Sequence, residues 1–155
     1  MRDDVVIREA DAGDYQGWLP LWEGYNAFYG REGETALPEA ITRQTWARFL
    51  DGAEPMTALV AEREGRLIGL AHAIRHRSST RLADVCYLQD LFTLPEARGR
   101  GVARALIDAV CRLAKATGCD RVYWQTHQTN HTARALYDKV AEHKGFIVYG
   151  RDLQM

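Results

Sequence analysis

The chain has 155 residues, 20 Lys and Arg against 21 Asp and Glu, a net charge of −1 and 46% hydrophobic residues. That length fits a single domain over residues 1–155 with a real core. The near-neutral charge argues against a general affinity for nucleic acid or anionic membrane, and no apolar run approaches a transmembrane span.

The pattern predicts the following elements in chain order. Val5-Val6-Ile7-Arg8 is a short strand. Residues 12–29 read as one helix or two, with Pro20 as the candidate break because it cannot donate to the helical ladder. Gly30 to Leu37 is a polar loop, and Pro38 opens a second helix running to about Leu50. Thr57–Glu62 and Leu67–Ile74 are strands around a Glu64-Gly65 hairpin turn. A charged loop over His76–Ala83 leads into a strong strand, Val85–Leu94. A helix over 101–117, a strand over Arg121–Thr126, a helix over 130–142 and a strand over Phe146–Arg151 complete the chain. This alternation predicts α/β packing with parallel pairing in the second half.

Cys86, Cys111 and Cys119 show no Cys-x-x-Cys spacing and read as reduced thiols, which predicts a cytoplasmic protein. Cys86 and Cys111 read as packing residues. The five histidines lack ligand spacing, so no metal site is expected. Met1-Arg2-Asp3-Asp4 is not followed by the apolar core of a signal peptide.

The most informative stretch is Leu91-Phe92-Thr93-Leu94-Pro95-Glu96-Ala97-Arg98-Gly99-Arg100-Gly101-Val102-Ala103. It passes from an apolar strand through a basic glycine turn into an amphipathic helix with Val102, Leu106, Ala109, Val110 and Leu113 on one side. The first N–H groups of a helix lack intrahelical acceptors and carry the positive end of its dipole, so such a turn suits a phosphate. Arg98, Arg100 and Arg104 add charge. The turn is neither G-x-G-x-x-G, since Arg104 stands at the third glycine, nor a Walker A loop.

Arg98-x-x-Gly101-x-Ala103 and the block from Asn130 through Ala133 and Leu136-Tyr137 to Gly145-Phe146 together resemble the GCN5-related N-acetyltransferases (GNAT). Val122-Tyr123-Trp124-Gln125-Thr126, Asn130-His131 and Leu136-Tyr137-Asp138-Lys139-Val140 are most similar to the fungal histone and polyamine acetyltransferases of that superfamily, which are often dimers. Tyr87-Leu88-Gln89-Asp90-Leu91 resembles the diamine acetyltransferases, except that those carry Glu where this chain has Gln89. An amide nitrogen cannot act as a base.

The resemblance implies the GNAT fold, an α/β (α+β) domain. Its mixed sheet of about six to seven strands, flanked by about four helices, splays between the fourth and fifth strands. It implies an acetyl-CoA-dependent acetyltransferase in which an amine attacks the thioester through a tetrahedral intermediate. The cofactor would meet Leu91, Phe92 and Thr93 through their backbones, like an added strand. Arg98, Gly99, Arg100, Gly101, Val102, Ala103 and Arg104 would meet its phosphates, and Asn130, Ala133 and Tyr137 would meet its arm. Tyr137 would be the general acid at the leaving thiolate. Gln89 would hold a relay water or Asp90 would take the proton, and Glu23, Tyr87, His72 and His127 remain as alternative bases. An aromatic wall of Trp22, Tyr25, Tyr29 and Tyr87 would receive the amine, aided by cation–π attraction. Trp18 precedes Trp22 on the same helical face, and core packing is the stronger explanation of such a stripe.

The expected partner is a small-molecule amine or a peptide lysine, with no nucleic acid and no membrane, and by analogy a homodimer. A D-amino acid would need a cation for its carboxylate, for which Arg75 and Arg77 stand out. A second reading, prompted by Gln89, is a non-catalytic acyl-CoA sensor on the same fold.

Overall fold

The computed structural model describes residues 4–155. The described residues form two compact units, one ending at Gln125 and one spanning Thr126–Met155.

The first unit is built on one five-stranded sheet in the order β1-β2-β3-β4-β5. Its strands are β1 (Val6–Glu9), β2 (Met56–Arg63), β3 (Arg66–His76), β4 (Asp84–Thr93) and β5 (Cys119–Tyr123). The first three pairings are antiparallel and β4–β5 is parallel. The helices are α1 (Tyr15–Phe28), α2 (Glu39–Leu50) and α3 (Val102–Ala116).

One face of the sheet carries α1 and α2. Trp18, Leu21, Trp22, Tyr25, Trp46 and Phe49 pack there with Val60, Leu70 and Phe92. An added Cβ at Gly24 would lie 2.8 Å from the Phe92 ring, so α1 sits close on β4. The other face carries α3, where Gly69 faces Leu106 and Val102. At the edge, Arg8 bonds both Asp14 oxygens at 2.7 and 2.8 Å and reaches Glu62 at 2.9 Å, tying β1 to β2.

One open alternative is settled here and two expectations are corrected. Pro20 does not break the first helix, because α1 runs through it. A proline inside a helix costs about 3 kcal/mol. Burial of Trp18, Leu21, Trp22 and Tyr25 on the same helix offsets that cost. The strand over Phe146–Arg151 is absent, so the sheet has five strands and not six to seven. Among the described residues no strand pairs with this segment, and Phe146, Ile147, Val148 and Tyr149 are 71–88% exposed. Apolar content makes a strand only where a neighbouring edge supplies the hydrogen bonds. Cys111 is exposed on α3 and is not a packing residue, whereas Cys86 and Cys119 are buried.

Candidate active site

β4 organises the site through two irregularities. First, its pairing with β3 steps from His72↔Asp90 to Ala73↔Leu88, which leaves Gln89 as an extra, exposed residue. Such a bulge re-aims the side chains beside it. It brings Tyr87 to the face that holds Asp90. The Tyr87 hydroxyl is accordingly raised in pKa by burial, by Tyr123, and by Asp90 and Tyr29. Second, β4 pairs with β5 only as far as Tyr87↔Tyr123. From Leu88 to Thr93 that edge has no strand partner among the described residues, and the sheet is open between its fourth and fifth strands. Every second residue there turns its N–H and C=O to the gap, as an extended ligand requires.

The glycine turn lies just beyond β4. Gly99 and Gly101 adopt left-handed φ values of 78° and 82°, and no atom lies within 4 Å of where their Cβ atoms would be. Gly101 is the N-cap of α3, and no side chain caps the first turn. The α3 amides therefore present an uncapped, unobstructed N-terminus, the chemistry a phosphate needs. Val102 is buried, Ala103 half-buried, and Arg100 and Arg104 exposed. Arg98 also contacts the strand before the turn. Its Nε donates to the Thr93 carbonyl at 3.0 Å and its guanidinium lies 5.6 Å from the Phe92 ring, so it braces the end of β4.

On the α1 face a buried polar chain reaches Asp90. Trp18 Nε1 donates to His72 Nε2 at 3.0 Å, and His72 Nδ1 lies 2.8 Å from Asp90 Oδ2. The indole can only donate, so Nε2 is the acceptor and Nδ1 carries the proton that Asp90 accepts. Phe49 packs on the imidazole at 4.3 Å between ring centres. Both His72 nitrogens are thus engaged and neither faces a substrate, which removes His72 as a direct base. Asp90 is 8% exposed and remains at the rim.

Around Asp90 stand three tyrosines. Burial, then the Asp90 charge and its hydrogen bond, push the Tyr25 hydroxyl well above the ordinary phenol range. Tyr29 is raised by burial and by Asp90. Tyr87 stacks on Tyr123 at 4.9 Å, and the Tyr123 hydroxyl lies 2.6 Å from His76 Nε2. Trp18 and Trp22 are core residues, Trp22 donating to Thr42 Oγ1 at 3.1 Å, while Tyr25 and Tyr29 carry the stripe out to the rim. Glu23, Glu32 and Glu34 are exposed.

Arg75 lies near Cys86 and Cys119, and Arg77 pairs with Asp84, so neither belongs to the Asp90 face. The sequence did not signal the Trp18–His72–Asp90 chain, because its members are 54 and 18 residues apart.

In the second unit, helix α4 (His131–Val140) starts at Asn130, whose Oδ1 accepts from the Ala133 N–H at 3.4 Å. Asn130 Nδ2 donates to Thr126 Oγ1 at 3.4 Å. Tyr137 lies in α4 four residues after Ala133, on the same side of the helix. His127 Nδ1 is engaged by Thr129 Oγ1 at 2.6 Å.

The Acetyltransferase (GNAT) family model matches residues 18–141. The chain is 33% identical to the D-amino-acid N-acetyltransferase HPA3 of Saccharomyces cerevisiae over 98% of its own length and 93% of the yeast protein. It is 32% identical to an uncharacterised N-acetyltransferase, YhfO, of Bacillus subtilis, with 92% and 94% of the two chains covered. Its fold matches aminoglycoside N-acetyltransferase AAC(6')-Iy in complex with a bisubstrate analogue of CoA, with a TM-score of 0.82, 21% identity and 97% and 99% coverage. The same enzyme in complex with CoA gives 0.78 at 22% identity, with 98% and 97% coverage. The open β4 edge, the glycine turn and these relationships agree: the chain belongs to the GNAT family and is an acetyl-CoA-dependent N-acetyltransferase.

Proposed function

We propose that this protein transfers acetyl from acetyl-CoA to the primary amine of a small molecule, with Asp90 as the general base. One observation carries the reading: Asp90 is a carboxylate held by a neutral, fully bonded histidine beside Tyr25 and at the start of the open β4 edge. The acceptor amine is cationic in water and must lose a proton before it attacks. A fixed carboxylate at an aromatic rim attracts the ammonium group and receives that proton.

Acetyl-CoA supplies the activated acetyl group. The backbone of Leu91, Phe92 and Thr93 would hold its extended arm, and the N-terminal amides of α3 with Gly99, Gly101 and Arg104 would hold its phosphates. A β4 N–H would polarise the carbonyl as negative charge develops. Tyr137 keeps the general-acid role that the motif implies. Relatives named for D-amino acids and for aminoglycosides support a small-molecule acceptor. The sensor reading rested on Gln89, and Asp90 supplies the acid that Gln89 lacks.

The test is release of CoA thiol from acetyl-CoA across polyamines, lysine peptides, aminoglycosides and D- and L-amino acids. A small amine that turns over, with kcat strongly reduced in Tyr137→Phe, is the expected result. Binding of acetyl-CoA without turnover on any acceptor would favour the sensor.

A further inference from the structure

The aromatic rim of the acceptor side carries a fixed cation that the family motifs do not mention. Helix α1 ends in a Schellman turn: the Gly30 N–H bonds the Ala27 carbonyl at 2.9 Å and the Arg31 N–H bonds the Asn26 carbonyl at 2.8 Å. Gly30, at a φ of 79°, takes the left-handed position that this turn requires. The turn sends the Arg31 side chain back along the helix. There its Nε donates to Asn26 Oδ1 at 2.7 Å, while Asn26 Nδ2 donates to the Trp22 carbonyl at 2.9 Å. Asn26 is 4% exposed, so the anchor is rigid. The guanidinium lies 5.5 Å from the Tyr29 ring centre and 5.9 Å from that of Tyr25.

Among the described residues no carboxylate pairs with Arg31, and its two Nη groups have no hydrogen-bond partner. The guanidinium is half-buried and pre-oriented, and its fork matches a carboxylate with two parallel N–H bonds. Tyr25 links the two ends of the rim, with its hydroxyl beside the Asp90 carboxylate and its ring beside the Arg31 cation. One end of the aromatic surface is therefore negative and the other positive. A polyamine or aminoglycoside gains at the first and is repelled at the second, whereas a zwitterion is matched at both.

We propose that Arg31 is a carboxylate-recognition residue and that the acceptor is an amino acid with a free carboxylate, its amine directed to Asp90 and its carboxylate to the Arg31 Nη atoms. This rests on the acetyl-transfer reading above and narrows its substrate class. It also moves the required cation from Arg75 and Arg77 to a residue whose position depends on the helix terminus.

The experiment compares kcat/KM for paired D- and L-amino acids and their carboxamides, with spermidine and an aminoglycoside alongside, in the wild type and in Arg31→Gln and Arg31→Lys. The wild type is expected to prefer acids over their carboxamides by roughly 10- to 100-fold, the scale of a charge-assisted pair. In Arg31→Gln that ratio falls to near one, chiefly through KM, and Arg31→Lys restores part of it. A merely structural role would lower acid and carboxamide together and leave the ratio unchanged, which overturns the proposal. Turnover of spermidine or the aminoglycoside with no preference for acids also overturns it while leaving acetyl transfer standing. No turnover of any acceptor would overturn the reading on which it rests.

Discussion

The two faces of the sheet are packed with different chemistry. The α3 face is closed by small and aliphatic groups: Gly69 against Val102 and Leu106, with Leu106 and Val110 wholly buried. The α1 face buries five aromatic rings of α1 and α2 together with His72, Asn26 and Asp90. Buried polar groups are costly unless they are bonded, and here each has a partner: Trp18 for His72, His72 for Asp90, Trp22 and Arg31 for Asn26. The first face holds the sheet together, and the second fixes a buried polar chain that ends at Asp90. The glycine turn at the head of α3 joins them, since α3 packs with its flank and offers its amides at its end.

That division is tested most severely at the turn. Gly101→Glu places a side chain and a negative charge where the phosphates would sit, at a φ that disfavours side chains. Acetyl-CoA affinity is expected to fall at least roughly 100-fold in calorimetric titration with the circular dichroism spectrum retained. Normal affinity in a folded variant would remove the turn from cofactor binding.

On the α1 face, Asp90→Asn keeps the shape and the hydrogen bond from His72 but cannot take a proton. Its kcat is expected to drop about 10²- to 10⁴-fold with little change in Tm, and an unchanged kcat would remove Asp90 as the base. On the α3 face the reverse pattern is expected. Leu106→Ala, at a position 0% exposed, should cost about 2–5 kcal/mol in denaturant unfolding while kcat per folded molecule holds. A loss of kcat without loss of stability would mean that the faces are not separable in this way.

The smallest effect lies at the β1–β2 edge. Arg8 holds the Asp14 carboxyl below its usual range, mainly through their hydrogen bonds. A carboxyl depressed in the folded state stabilises the fold above its ordinary pKa of about 4. That contribution is lost as the pH falls through the lowered value. Arg8→Gln should therefore cost about 1 kcal/mol at neutral pH and less as the solution is acidified. A cost that does not depend on pH would assign the effect to packing by the arginine stem.

Much of the site was legible in the sequence where its residues are neighbours in the chain. The turn from Arg98 to Ala103 lies as expected between β4 and α3, and Asn130 caps α4. The Glu64-Gly65 hairpin joins β2 to β3 with both residues at positive φ. Tyr25 and Tyr29 reach the rim, while Trp18 and Trp22 are core, a distinction that a spacing of 3.6 residues cannot make. Phe146–Arg151 shows the converse limit, since apolar composition alone did not make it a strand.

What the sequence determined by itself is the local chemistry: which segments are helical, where the chain turns, and where uncapped helix amides meet glycines. These follow from interactions within a few residues, which pattern and propensity capture. The tertiary structure decided which side chains meet across the sheet. The Gln89 bulge, the early end of β4–β5 pairing, the Trp18–His72–Asp90 chain and the placement of Arg31 against Tyr25 and Tyr29 all depend on register and on a helix terminus. One step of register moves every side chain of a strand to the opposite face, so no local signal could have placed them.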